Sequence, residues 1–285
     1  EIKLGSYYRL DADIDLANEE HYYMVGSYVN PFSGTFDGNN HTITGLTYKN
    51  EYLDYLGLFG RTTGTIKNLK IDNVEIEGNN YLGIVTGTLG GTIQAVDAKG
   101  ILKGNNYVGG ISSQCGTVKN SKYEGTVEGN DYVGGICGTS GSVSNVMSKT
   151  TVKGNNYVGG ISGTGSVDSG MQEGDVEGNT YVGGISGNIE WSSIRGVYLS
   201  GNVKGTSNVG RIGGRNYYST ITGYGLTGTT VNGNEINSKD PYANNGQTIG
   251  TREELFSDIN LVEFILDTYI GGDNNGDGYY WDYDE

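Results

Sequence analysis

The chain has 285 residues and a formal net charge of −15, with 51 glycines, 23 tyrosines and only two prolines. Proline this scarce excludes a collagen-like or Gly/Pro linker composition, and the acidic balance argues against a nucleic-acid footprint and against anionic membrane surfaces. No stretch reaches the ~18 apolar residues of a membrane span, and the two cysteines are too few for a disulfide framework or a zinc site.

Residues 1–54 read as entry and capping coils. Tyr8 through Leu16 alternate as a strand would, and Phe32 through Ile43 have strand–turn–strand character. The sequence opens at Glu1 inside what already reads as structured chain, which is expected of a mature or excised fragment.

Residues 55–230 are repetitive. A Tyr followed by an aliphatic residue and Gly recurs at Tyr55, Tyr81, Tyr107, Tyr132, Tyr157 and Tyr181, with a degenerate seventh start at Asn208; the intervals are 26, 26, 25, 25, 24 and 27. This period is that of a solenoid. Four aliphatic columns run through the units. They start at Leu56, Phe59, Ile66 and Ile76 and recur to Val209, Ile212, Ile194 and Val203. One coil cannot bury such a face alone, but stacked neighbours can. The columns are mostly Val and Ile, and each unit carries a Gly two residues after its Tyr, at ~1 kcal/mol per residue against a helix. Short strands between turns remain.

Gly-Asn pairs precede the Tyr in successive units. Stacking should therefore set Asn79, Asn105, Asn130, Asn155 and Asn179 in an amide ladder beside a parallel stack of tyrosines. Glu77, Glu128 and Glu177 share a column with Lys103, Lys153 and Lys204, which fits solvated coil-to-coil pairing better than catalysis. Cys115 lies eight residues after its Tyr and Cys137 five after its own, so they occupy different columns and are expected as free buried thiols rather than a bridge.

Residues 231–285 form a third segment. The period is lost over 231–250, which reads as a loop. Thr251 and Glu254 then make a capping box, and Leu255, Ile259, Val262, Ile265 and Leu266 follow at helical spacing, predicting a helix near 252–269. The last 35 residues carry a net charge of −9. Within them Asp273, Asn275, Asp277, Tyr279 (through its carbonyl) and Asp284 match the ligand spacing of an EF-hand-type calcium loop with Gly278 at the turn. An acidic turn before an aromatic strand is the alternative.

The pattern Tyr-Val-Gly-Gly-Ile-Ser/Cys-Gly, then Gly-Ser/Thr-Val, then a strand ending in Val before Gly-Asn, resembles the GLUG-motif repeats of bacterial secreted and surface proteins over residues 55–213. The stretches 8–16, 34–46 and 57–69 look like the lead-in to such repeats. The resemblance implies a parallel β-helix on a bacterial surface, and the same repeats stand beside the catalytic units of IgA-specific metallopeptidases. Such a catalytic unit needs a His-Glu-x-x-His helix. Only His21 and His41 occur, without that motif.

The expectation is thus an all-β, right-handed parallel β-helix of ~25-residue coils with an irregular N-terminal cap and a short C-terminal helix. Its expected role is that of a non-catalytic extracellular module that adheres, displays or forms filaments. Its partners would be a host protein or glycan, or identical subunits end to end, with no nucleic acid and no membrane span. The alternatives are an accessory domain that positions substrate for a secreted peptidase and, more weakly, a carbohydrate-binding or carbohydrate-active β-helix. Tyr81, Tyr107, Tyr132, Tyr157 and Tyr181 are the candidate ligand-binding row, against a purely structural reading of the same stack.

Overall fold

Every aliphatic column read from the repeat becomes a line of buried side chains parallel to the solenoid axis. The computed structural model describes residues 3–19, 22–240 and 244–249. These form an all-β, right-handed parallel β-helix of about nine turns. The predicted helix near 252–269 lies outside the described residues.

Leu56, Leu82, Val108, Val133, Val158, Val182 and Val209 pair in sequence along one face. Phe59, Val85, Ile111, Ile136, Ile161, Ile185 and Ile212 are joined by backbone bonds, each N–H donating to the next coil's carbonyl. Tyr8, Phe36, Ile66, Ile93, Val118 and Val143 continue into Val167, Ile194 and Ile221. The fourth column runs from Tyr48 through Ile76, Leu102, Val127, Val152, Val176 and Val203 to Val231. Burying each Val or Ile contributes ~1.5–3 kcal/mol, so the columns supply the main cohesive term.

A further inward column does not keep its residue type: Ile71, Ala98, Tyr123, Ser148, Gln172, Leu199 and Gly225. Its variation is matched across the core. Gly110 faces Tyr123, Gly135 faces Ser148 and Thr150, Gly160 faces Gln172, and Gly184 faces Leu199. A Cβ on any of these four glycines would also sit on the carbonyl oxygen of the next coil. In the last full coil the roles reverse, and Gly225 faces Arg211.

Arg211 is fully buried with no carboxylate among its described partners. Its Nε donates to the Asn245 carbonyl (2.6 Å), Nη1 to the Ile236 carbonyl (3.1 Å) and Nη2 to the Gly246 carbonyl (3.0 Å). Burial lowers its pKa to about 10, so it stays charged at neutral pH. The guanidinium collects three carbonyls of chain that crosses the end of the core. Residues 231–250, expected as a loop, include a hairpin strand Asn234–Glu235 and a parallel strand Gln247–Ile249 laid on Tyr224–Leu226. The sequence lost its period there because hairpin and final strand are held by Arg211 and backbone bonds rather than by a repeated side chain.

At the other end, Tyr7–Arg9 and Ile14–Asp15 are the first strands, pairing onto Thr35–Asp37 and Thr42–Thr44. The entry coils therefore stack in register with the repeats. Phe32, wholly buried, packs its ring 5.2 Å from Phe59 and 6.3 Å from Tyr8.

The two cysteines are bonded, contrary to the expectation of free thiols. Cys115 and Cys137 form a disulfide with a Cα–Cα separation of 6.0 Å. Cys137 pairs laterally with Ser112 and Cys115 with Ser140, so the thiols start three positions apart on adjacent coils. Both side chains are buried, and different columns do not keep them apart.

Two outcomes follow. Arg211→Leu should lower the free energy of unfolding by about 3 kcal/mol, because one buried and two part-buried carbonyls lose a charged donor; a urea titration of the folded chain would show it. Under denaturing conditions iodoacetamide should add nothing to the unreduced chain and two adducts after reduction.

Candidate functional site

The row of tyrosines lies where the chain turns a tight corner after each Gly-Asn turn. Tyr55, Tyr81, Tyr107, Tyr132, Tyr157 and Tyr181 all have left-handed backbones, with φ between 56° and 63°. A bulky L-residue there costs ~1–2 kcal/mol. At the seventh position the residue is Asn208, φ 52°, a type that tolerates this region. The corner selects the backbone, and stacking offsets the strain of placing Tyr in it. Adjacent rings lie 4.7, 4.9, 4.6, 4.7 and 5.0 Å apart, near-parallel from Tyr55 to Tyr157 and tilted by 19° at Tyr181. Tyr28 extends the stack at 5.0 Å, and the guanidinium of Arg61 covers Tyr28 at 4.8 Å. Arg215 lies 5.7 Å from the Tyr181 ring at the other end. The faces of the interior rings are thus occupied by neighbours, and the row turns edges and hydroxyls outward. Partial desolvation, then repulsion from neighbouring phenolates, raises the pKa of Tyr55, Tyr81 and Tyr132.

The amide ladder exists, but it is shifted. Asn79, Asn105, Asn130, Asn155 and Asn179 are linked chiefly by backbone N–H···O=C bonds of 2.5–2.7 Å. Side-chain bonds run instead through the next residue: Asn80 Nδ2 donates to Asp54 (3.1 Å), Asn106 Nδ2 to Asn80 (3.1 Å) and Asn156 Nδ2 to Asp131 (2.8 Å). A second left-handed bend was not anticipated. Asn68, Asn120 and Asn145 hold φ of 51–52°, and Asn145 Nδ2 donates to Asn120 Oδ1 at 3.1 Å. The signal was present, since each of these Asn follows its column aliphatic by two residues.

The charged column alternates as expected. Lys49, Glu77, Lys103, Glu128, Lys153, Glu177 and Lys204 succeed one another in register. Ion pairs of 3.5 Å join Glu77 to Lys103 and of 2.7 Å join Glu177 to Lys204. A parallel line pairs Lys99 with Glu124 at 3.8 Å and Lys149 with Glu173 at 3.6 Å. Among the described residues, no group of three or more His, Cys, Asp or Glu side chains could hold a metal ion. His41 Nδ1 lies 3.0 Å from Asp13 Oδ1 on an exposed edge. The candidate calcium residues Asp273, Asn275, Asp277, Tyr279 and Asp284 lie outside the described residues, as does His21. No described helix is long and apolar enough to cross a membrane.

No family model matches the chain. Its sequence is similar to Halomucin from Haloquadratum walsbyi, 38% identical over 117 residues, covering 36% of this chain. The chain spans about 1% of the length of that relative. Its structure is similar to one described as "a putative immunoglobulin A1 protease" from Bacteroides ovatus, with a TM-score of 0.59 at 23% identity, covering 91% of this chain and 80% of that one. At that identity the likeness is one of fold.

The strained corner makes a graded prediction. Tyr132→Asn, which keeps the left-handed backbone and loses two ring contacts, should destabilise by about 1–2 kcal/mol; Tyr132→Val, β-branched at φ 60°, should destabilise more. Thermal or urea unfolding of both variants would measure the difference. For Tyr55, Tyr81 and Tyr132 the folded pKa exceeds the ordinary 10.0, so their contribution is complete below pH 10 and lost as pH rises through the folded values. Phenolate absorbance at 295 nm should rise later in the folded chain than after denaturation.

Proposed function

We propose that the chain is a non-catalytic module of an extracellular bacterial surface protein, built of GLUG-type coils and used to display, space or adhere. The observation that carries this reading is how the repeated outward rows are used. The stacked Tyr faces, Asn/Asp side chains and alternating Lys and Glu largely bond their own counterparts in the next coil. Such rows build a rod and leave little convergent chemistry. A stretch of 36% of the chain resembling 1% of a relative supports the view of a module suited to repetition in a longer protein. The names of the two similar proteins, Halomucin and "a putative immunoglobulin A1 protease", support an extracellular place.

In this reading residues 1–54 are capping coils, 55–230 the repeats, and 231–285 a closing segment that includes a calcium loop at Asp273, Asn275, Asp277, Tyr279 and Asp284. The outward tyrosine hydroxyls of Tyr81 through Tyr181 offer a regular edge to a host protein, a glycan or a second copy. A second reading, an accessory domain that positions substrate for a peptidase in the same polypeptide, is favoured by the breadth of the fold likeness to the Bacteroides ovatus protein.

Antibodies raised against residues 55–230 should label intact producing cells as strongly as permeabilised ones. Labelling that appears only after permeabilisation would overturn the surface reading. Isothermal titration of calcium into the chain should give saturable binding that Asp273→Ala abolishes.

A further inference from the structure

The corner that the middle coils turn in one or two residues is enlarged in the last two full coils. Between Thr139 and Ser142 the chain passes through Ser140 and Gly141, and between Thr164 and Ser166 through Gly165; the equivalent stretches are 189–192 and 216–219, against 62–64 and 89–91 in the first coils. The added residues place three large aromatic side chains outside the rod. Trp191 is 73% exposed, Tyr218 69% and Tyr217 42%.

The three form a cluster. The Trp191 ring stacks on Tyr218 at 4.8 Å and 21°. Tyr217 meets Trp191 edge-on at 6.3 Å and Tyr218 at 4.4 Å. The guanidinium of Arg215 lies 5.2 Å from the Tyr217 ring, and its Nη1 is 3.9 Å from the Glu190 carboxylate.

Coil stacking sets Trp191 against Tyr218, which follow the register pair Glu190 and Tyr217, but it leaves both side chains largely outside the rod. Trp191 and Tyr218 both hold left-handed backbones, φ 52° and 49°. The strain is ~1–2 kcal/mol per residue. In the tyrosine row the same strain is offset by stacking that leaves the rings half-buried; here Trp191 and Tyr218 stay 73% and 69% exposed. Exposed apolar area combined with unfavourable backbone is the signature of a binding surface.

The mixture of groups selects the occupant. An apolar partner would want a continuous greasy patch, whereas this cluster is bordered by a guanidinium and a carboxylate. A pyranose ring matches both parts. Its axial C–H bonds carry partial positive charge toward an aromatic face, and its equatorial hydroxyls can accept from Arg215 and donate to Glu190. Because Arg215 and Glu190 neutralise each other, an uncharged sugar fits better than an acidic one.

We propose that Trp191, Tyr217 and Tyr218, with Arg215 and Glu190, form a binding site for neutral oligosaccharides. The site deepens the surface-module reading and rests on it, but its test uses purified chain and is independent of where the protein resides.

In a W281F background Trp191 is the sole tryptophan. Titration with chitohexaose and cellohexaose should shift or quench its emission saturably for at least one of them. Calorimetry with the same sugars should show at least about tenfold weaker binding for W191G and for Y218G. Both glycine variants relieve backbone strain, so their urea midpoints should equal or exceed the parent's. Saturable binding that survives both substitutions would place the sugar elsewhere and overturn the proposal. So would the absence of saturation by either hexasaccharide, with a protein ligand binding through Trp191 instead. A clear fall in both midpoints would show that the aromatics serve the fold.

Discussion

The structure depends on one constraint: each coil lends its backbone N–H groups to the carbonyls of the next, in parallel and in register. That ladder fixes the rise between coils near the strand spacing of ~4.7–4.9 Å. Every side chain that recurs at one position then meets its own kind at that distance. The tyrosine rings, 4.6–5.0 Å apart, are stacked because the backbone has already set that spacing. The same rise turns an Asn into a donor for the amide one coil away, and a Val into a neighbour of a Val.

Periodicity was therefore legible wherever residue type repeats. The four aliphatic columns, the tyrosine stack and the alternating charges could all be read by counting. What stayed hidden was whatever depends on direction or on complement. Left-handed backbone at the tyrosine corner gives no compositional sign, because Tyr is not a residue that prefers it; only Asn208 at the seventh position hints at it. The varied column from Tyr123 to Gly225 does not repeat, since each member is matched to the residue facing it inside its own coil. The disulfide escapes the repeat for the same reason: column positions describe spacing along the chain and not how two side chains converge between coils.

The two ends solve the problem of an open stack by different means. The N-terminal coils use aromatic bulk, with Phe32 and Phe36 both packed on Phe59. At the C-terminal end a buried cation gathers carbonyls, an arrangement in which charge is kept because several oxygens share it. Phe36 and Phe59 still occupy aliphatic columns of the repeat, whereas Arg211 has no counterpart in it, which is why the repeat could not announce the second device. The exposed cluster at Trp191 is likewise a departure from the pattern, and departures are where this fold has room for recognition.

The alternating line from Lys49 to Lys204 has a consequence for how such a chain can grow or shrink. Coils that look interchangeable by their Val, Gly and Tyr fall into two charge types, and each type stacks on the other. Removing the one coil that carries Glu128 would bring Lys103 against Lys153. Removing two leaves the sequence of signs intact. The unit of duplication or loss compatible with the rod is then a pair of coils, about 50 residues, even though the visible repeat is half that length.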